Sequence, residues 1–83
     1  MTAPFDPVQV QTYSGYKADE DPRGFSWQGH SFVIEQIVDR WYQAGRDPTL
    51  PSANYFKVRT TDGNLFIIRR DNDSLEWSLR AAP

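Results

Sequence analysis

This sequence predicts an all-β protein: a small antiparallel sheet curled into a partly open barrel of five to six strands, with one short helix around residues 35–43 as the alternative for a single stretch. Three observations carry that expectation. Turn-forming residues cut the chain at short intervals, at Asp6-Pro7, Asp21-Pro22, Gly29, Asp47-Pro48, Asp62-Gly63 and Asp71-Asn72-Asp73. Most of the pieces between them alternate apolar and polar residues with period two, the spacing of a strand with one buried face. The chain also carries 3 Trp, 4 Tyr and 5 Phe in 83 residues, too many for a disordered polymer and suited to a pleated, half-buried surface.

The length allows one domain, 1–83, with residues 1–6 and 81–83 expected to be frayed. A chain this short buries only about 60% of the surface that its unfolded form exposes, so the aromatic side chains are needed mainly as core. Hydrophobic residues make up 39% and charged residues 24%, with a mean hydropathy of -0.67. No apolar run approaches the ~18 residues of a membrane span. The opening MTAPFDPVQV has neither the basic nor the apolar region of a leader peptide. A cytoplasmic protein without membrane association is therefore expected. The absence of cysteine excludes disulfides and thiolate chemistry, and a single histidine excludes a Cys/His zinc site.

Taken in order, Val8, Val10 and Thr12 alternate with Gln9, Gln11 and Tyr13 as a first strand, and Asp19-Glu20-Asp21-Pro22 forms an acidic turn. Phe25 and Trp27 precede Gln28-Gly29, a tight hairpin that places Phe25 opposite Phe32. Residues Phe32–Tyr42 fit two periods. Val33, Ile37 and Trp41 recur every four residues, as in a helix, yet they also share one side of a strand whose other side carries Phe32, Ile34, Val38 and Tyr42. The β-branched density of Phe32–Val38 decides for a long bent strand. Gln43–Ser52, with two prolines and a glycine, reads as a loop, either a passive connector or a candidate rim of a binding site.

The C-terminal half is clearer. Phe56, Val58 and Thr60 lie on one face of a strand and Tyr55, Lys57 and Arg59 on the other. A three-residue loop Thr61-Asp62-Gly63, with the glycine left-handed, pairs Val58 with Phe66 and Phe56 with Ile68. A loop centred on Asn72-Asp73 would then pair Ile68 with Trp77 and Phe66 with Leu79, stacking the apolar residues of three strands on one face.

The run Phe25-Ser26-Trp27-Gln28-Gly29, then Val33, Ile37 and Trp41, then Tyr55-Phe56-Lys57-Val58, Asp62-Gly63, Phe66, Ile68 and Trp77-Ser78-Leu79 resembles a family of small bacterial domains of unknown function. Some actinobacterial relatives in that family accompany Y-family DNA polymerases. The match covers Phe25 to Leu79 and rests on core and turn positions. It implies a compact, largely β fold and carries over no catalytic residue.

No constellation for catalysis, cofactor or metal emerges, and an enzyme is not expected. His30 and Ser31 are neighbours on a strand and point to opposite faces, so they make no nucleophile–base pair. The acidic runs Asp19-Glu20-Asp21 and Asp71-Asn72-Asp73 lack the glycine and the distal glutamate of a calcium loop, and Asx-turn chemistry accounts for the second of them. No glycine-rich phosphate loop is present.

One feature stands above background. The face opposite Phe56, Val58, Phe66, Ile68, Trp77 and Leu79 gathers Lys57, Arg59, Arg69 and Arg80 against the single acid Glu76, while the whole chain is -2. Tyr55 extends this face, and Leu65 and Ile67 form its apolar centre. The same residues also fit a plain solvated outer face, in which Arg69 and Glu76 form a cross-strand pair and another segment covers Leu65 and Ile67. The expected function is a non-catalytic binding or adaptor module that meets a protein partner through an exposed sheet face or edge. The alternative is a nucleic-acid-associated module that binds through Lys57, Arg59, Arg69, Arg80 and Tyr55.

Overall fold

A computed structural model of the chain describes residues 5–12, 21–44 and 52–82. These residues form seven strands: β1 (Asp6–Pro7), β2 (Gln9–Thr12), β3 (Pro22–Trp27), β4 (His30–Gln43), β5 (Ala53–Thr60), β6 (Leu65–Asp71) and β7 (Trp77–Ala81). Every neighbouring pair is antiparallel, in the order β1-β7-β6-β5-β4-β3-β2. No helix occurs among the described residues, so the stretch Glu35–Gln43 is strand.

The count is seven rather than five or six because the first strand is split. Asp6 and Pro7 pair with Leu79 and Ser78 on β7, and after Val8 the same segment moves across to pair Gln9–Thr12 with β3. The Val8 amide donates to the Trp77 carbonyl at 3.2 Å. One short stretch of chain thus ties the two ends of the sheet together and nearly closes a barrel, which limits the exposed strand edge. Asp6 and Ala81, in regions expected to fray, are paired with Leu79 and Phe66; residues 1–4 and 83 lie outside the described residues. So do Tyr13 of the expected first strand and Asp19 and Glu20 of the expected acidic turn.

Two of the three hairpin registers follow the sequence reading. Gln28 and Gly29 both have positive φ, 52° and 78°, and close β3 onto β4 with Phe25 opposite Phe32. Gly63, at φ 88°, ends the three-residue loop after Thr60, and Val58 pairs with Phe66 and Phe56 with Ile68.

The third hairpin is shifted by two residues. Ile68 faces Leu79, Arg70 faces Trp77, and Phe66 faces Ala81. The cause is Asp71. Its carboxylate accepts the amides of Asp73 (2.8 Å) and Ser74 (3.0 Å), its carbonyl accepts Leu75 N–H (2.8 Å), and its own amide donates to Glu76 (2.9 Å). These bonds wind residues 72–75 into a fuller turn that ends on Leu75 at φ 62° and delays the return strand. A slip of two keeps every side chain on its face, so the buried set is preserved although the partners change.

Strand β4 departs from regular pairing twice, between Ile34 and Gln36 and between Ile37 and Asp39. Ile34, Ile37 and Arg40 consequently face Thr60, Val58 and Phe56, three residues of β4 for every two of β5. Such bulges bend and twist a strand, and they let β4 wrap around the barrel. They also leave a three-residue spacing in the sequence that imitates a helical period.

The core consists of Phe25, Phe56, Val58, Phe66, Ile68 and Leu79, with Val8, Val10, Trp27, Phe32, Ile34, Ile37 and Trp77 packed against it. Phe25 stacks on Phe32 at 5.0 Å, and both meet Phe66 edge-on, at 5.2 and 5.4 Å. Each such ring pair contributes about 0.5–1.5 kcal/mol beyond area burial. Gly24 is required for close approach, since a Cβ there would lie 2.8 Å from the Phe32 carbonyl oxygen.

Candidate functional site

The five residues proposed from sequence come together on the outer face. Tyr55 is paired with Arg69, Arg59 with Leu65, and Ile67 stands between Lys57 and Arg80. The shifted third register leaves this grouping intact, because parity is unchanged.

The electrostatics differ from the sequence count. Arg59 donates through Nε to Glu35 at 3.0 Å and through a second nitrogen to Gln36. Arg69 lies 3.7 Å from the Asp71 carboxylate and donates through Nε to the Tyr55 hydroxyl at 3.3 Å. Arg69 faces Ser78 across the sheet, so the expected Arg69–Glu76 pair is replaced by Arg69–Asp71. Lys57 stands opposite Asp39. Acids from β4 and from the end of β6 therefore offset much of the positive charge. Arg80 is different: its Nε is buried with no hydrogen-bond acceptor among the described residues, and its guanidinium lies 5.4 Å from the centre of the Phe5 ring.

Sequence reasoning missed two aromatic members. Trp41 stacks on Tyr55 at 5.3 Å with the rings 2° from parallel, and Phe5 meets Tyr55 edge-on at 6.1 Å. Trp41 was legible as a strand residue, but only the bulges in β4 determine which neighbour it meets. Phe5 lies in a stretch expected to fray, and nothing local signals its packing.

A second feature lies on the inner face, at one end of the barrel. Tyr42, Asn54, Arg70 and Trp77 form a row across β4, β5, β6 and β7. Beneath it, Arg40 faces Phe56. Asp21, just before β3, accepts two bonds from the Arg40 guanidinium at 2.9 and 3.0 Å; this bonding raises the Arg40 pKa. All of these but Trp77, together with Trp41 and Tyr55, line a cleft of about 270 Å³. Asn54 donates its amide to Asn72 at 3.4 Å, which ties the cleft to the third turn.

His30 lies beside Phe32, 6.5 Å between ring centres, while Ser31 faces Ser26. Among the described residues no group of three His, Cys, Asp or Glu could hold a metal ion, and no helix is long and apolar enough to cross a membrane. Of the proposed loop rim Gln43–Ser52, Gln43 belongs to β4, the Ser52 carbonyl accepts the Asn72 amide at 3.0 Å, and residues 45–51 lie outside the described residues. Comparison of the chain with protein-family models, curated proteins and solved structures finds no match in any of the three.

Proposed function

We propose that the protein is a non-catalytic binding module that engages a protein partner through β4 and the adjoining end of the barrel. One observation supports this reading above the others. Among the described residues, the exposed large hydrophobic side chains are Val33, Val38, Trp41, Tyr42 and Leu75, and all but Leu75 belong to β4. A row of apolar groups on one strand, rimmed by Glu35, Asp39 and Arg40, has the make-up of a protein interface, in which Trp, Tyr and Arg carry most of the binding energy. Among the described residues β3 pairs with β4 only through His30–Val33, so a partner segment laid along Ile34–Gln43 is a mode of attachment consistent with this surface.

A second reading, a nucleic-acid module, is favoured by a different observation, the gathering of Arg80, Tyr55, Lys57 and Arg69 on one face. A phosphodiester would pair with the cationic side chains of this face, and bases would stack near Trp41. The acidic partners of Arg59 and Arg69 and a sequence pI of about 5.1 weigh against it.

Panning a displayed peptide library on the wild-type protein and on Trp41→Ala separates the two. The protein-binding reading expects enriched peptides whose affinity drops about 30-fold in the variant, the size of a hot-spot loss of about 2 kcal/mol. No enriched peptide, together with oligonucleotide binding that weakens steeply with salt and is lost in Arg80→Gln, would replace it with the second reading.

A further inference from the structure

The barrel-end cleft contains two guanidinium groups in different states. Arg40 is engaged by both oxygens of Asp21. Arg70 lies over the Trp77 ring at 5.9 Å, and no carboxylate among the described residues pairs with it. The lining thus holds two cations and one anion, Asp21. Around Arg70 the walls are aromatic and polar: Tyr42, 62% exposed, Trp41, 39% exposed, buried Phe56, and Asn54.

We propose that this cleft takes an acidic segment of a protein partner, with a side-chain carboxylate paired to Arg70 and the adjoining apolar side chain laid against Tyr42 and Phe56. The proposal rests on the protein-binding reading above and names the chemistry of the partner. Charge complementarity is its first ground. A planar guanidinium with its donors in a fixed fork is the side chain best suited to hold a carboxylate by two bonds. Resting on Trp77 already restricts Arg70, so less freedom is lost when the anion arrives. Size is the second ground. Clefts that enclose whole small molecules run to about 300–1,000 Å³, whereas 270 Å³ open to solvent suits one or two side chains of a longer chain. The exposed rings of Trp41 and Tyr42 supply apolar area that the partner removes from water.

The test is a titration of the isotope-labelled protein with a short end-capped peptide that interleaves Asp and Glu with Leu and Phe, beside the same peptide with Asn and Gln in place of the acids. The acidic peptide is expected to shift the resonances of Tyr42, Asn54 and Arg70 and to bind more weakly as salt is added. The amide analogue should bind about tenfold more weakly or worse. Arg70→Glu should abolish binding of the acidic peptide and accept a Lys/Arg counterpart. Asn54→Asp, which leaves Arg70 in place and adds a negative charge to the lining, should weaken the acidic peptide, so the result does not depend on one variant folding. Equal binding of the two peptides, indifference to both variants, shifts confined to Lys57 and Arg80, or a single-stranded oligonucleotide shifting the cleft in place of the peptide would each overturn the proposal. If neutral library peptides bind along β4 while the acidic probe does not, only this inference falls. If neither binds, the protein-binding reading falls with it.

Discussion

Two short acidic side chains act as braces for the turns. The Thr60 hydroxyl, on a residue only 1% exposed, donates to the Asp62 carboxylate and accepts the Asn64 amide at 3.3 Å, so a buried polar group is satisfied where the chain reverses. That hydroxyl, followed by the Asn64 amide, holds the Asp62 carboxyl below its ordinary value of 3.8. Asp71 is lowered in the same sense by the amides of Ser74 and Asp73, with the Arg69 charge adding to them. A carboxyl whose folded pKa lies below its unfolded one takes up its proton in the unfolded chain first. The stability from both groups is therefore fully present well above the ordinary carboxyl value and is lost over the acid range in which pH falls through that value and then through the lowered folded ones. Urea midpoints measured across that range should fall with pH in the wild type and fall less in Asp71→Asn and in Asp62→Asn. An unchanged slope in both variants would show that these carboxylates are not held in the folded state as described.

At the scale of elements, irregularities in pairing determine what the barrel presents to solvent. The two bulges of β4 turn Ile37 towards Val58, set Arg40 against Phe56 and bring Trp41 onto Tyr55. Without them, regular pairing continued from Ile34 and Thr60 would set Arg40 opposite Asn54 and Trp41 opposite Ala53, two positions away along β5, and would turn Ile37 outward. The β3–β4 hairpin has its own constraint at Gly24, where the Phe32 carbonyl oxygen and, at 3.3 Å, the Gln11 amide oxygen leave no room for a side chain. Gly24→Ala should destabilise the protein by about 1–3 kcal/mol, the usual cost of forcing an extra methyl into a packed site. Thermal unfolding measures this directly. Since Phe32 is the stacking partner of Phe25, the variant should also shift the ring resonances of Phe25, Phe32 and Phe66.

For the molecule as a whole, stability rests on a small core and on closure by the segment 6–12. Leu79 is fully buried, faces Ile68 on one side and Asp6 on the other, and so belongs to both. Leu79→Ala should cost about 2–5 kcal/mol, a large share of the ~5–15 kcal/mol available to a typical domain. Its chemical-denaturation midpoint should drop far below that of Trp41→Ala, which removes a ring already 39% exposed. Similar midpoints for the two variants would mean that the core does not lie where it is placed here. A domain this small has few apolar residues to spare from its core, and the proposed binding surface therefore rests on the apolar groups left exposed along β4.

Class, the strands from β3 onward, the first two hairpin turns and the gathering of Lys57, Arg59, Arg69, Arg80 and Tyr55 on one face were legible from local pattern, because a period of two assigns faces whatever the register, whereas the split of the first strand into β1 and β2 was not. Three things needed the folded chain. The return of β7 is delayed by hydrogen bonds to Asp71, which alternation cannot reveal because it is blind to a slip of two residues. The acids that offset Arg59 and Arg69 come from β4 and from the end of β6, and which charges meet depends on pairing between strands and on where side chains reach. Both the cleft around Arg70 and the contact of Phe5 with Tyr55 arise only when strands distant in sequence become neighbours. Proximity of that kind is set by closure of the barrel and leaves no periodic trace in the residues themselves.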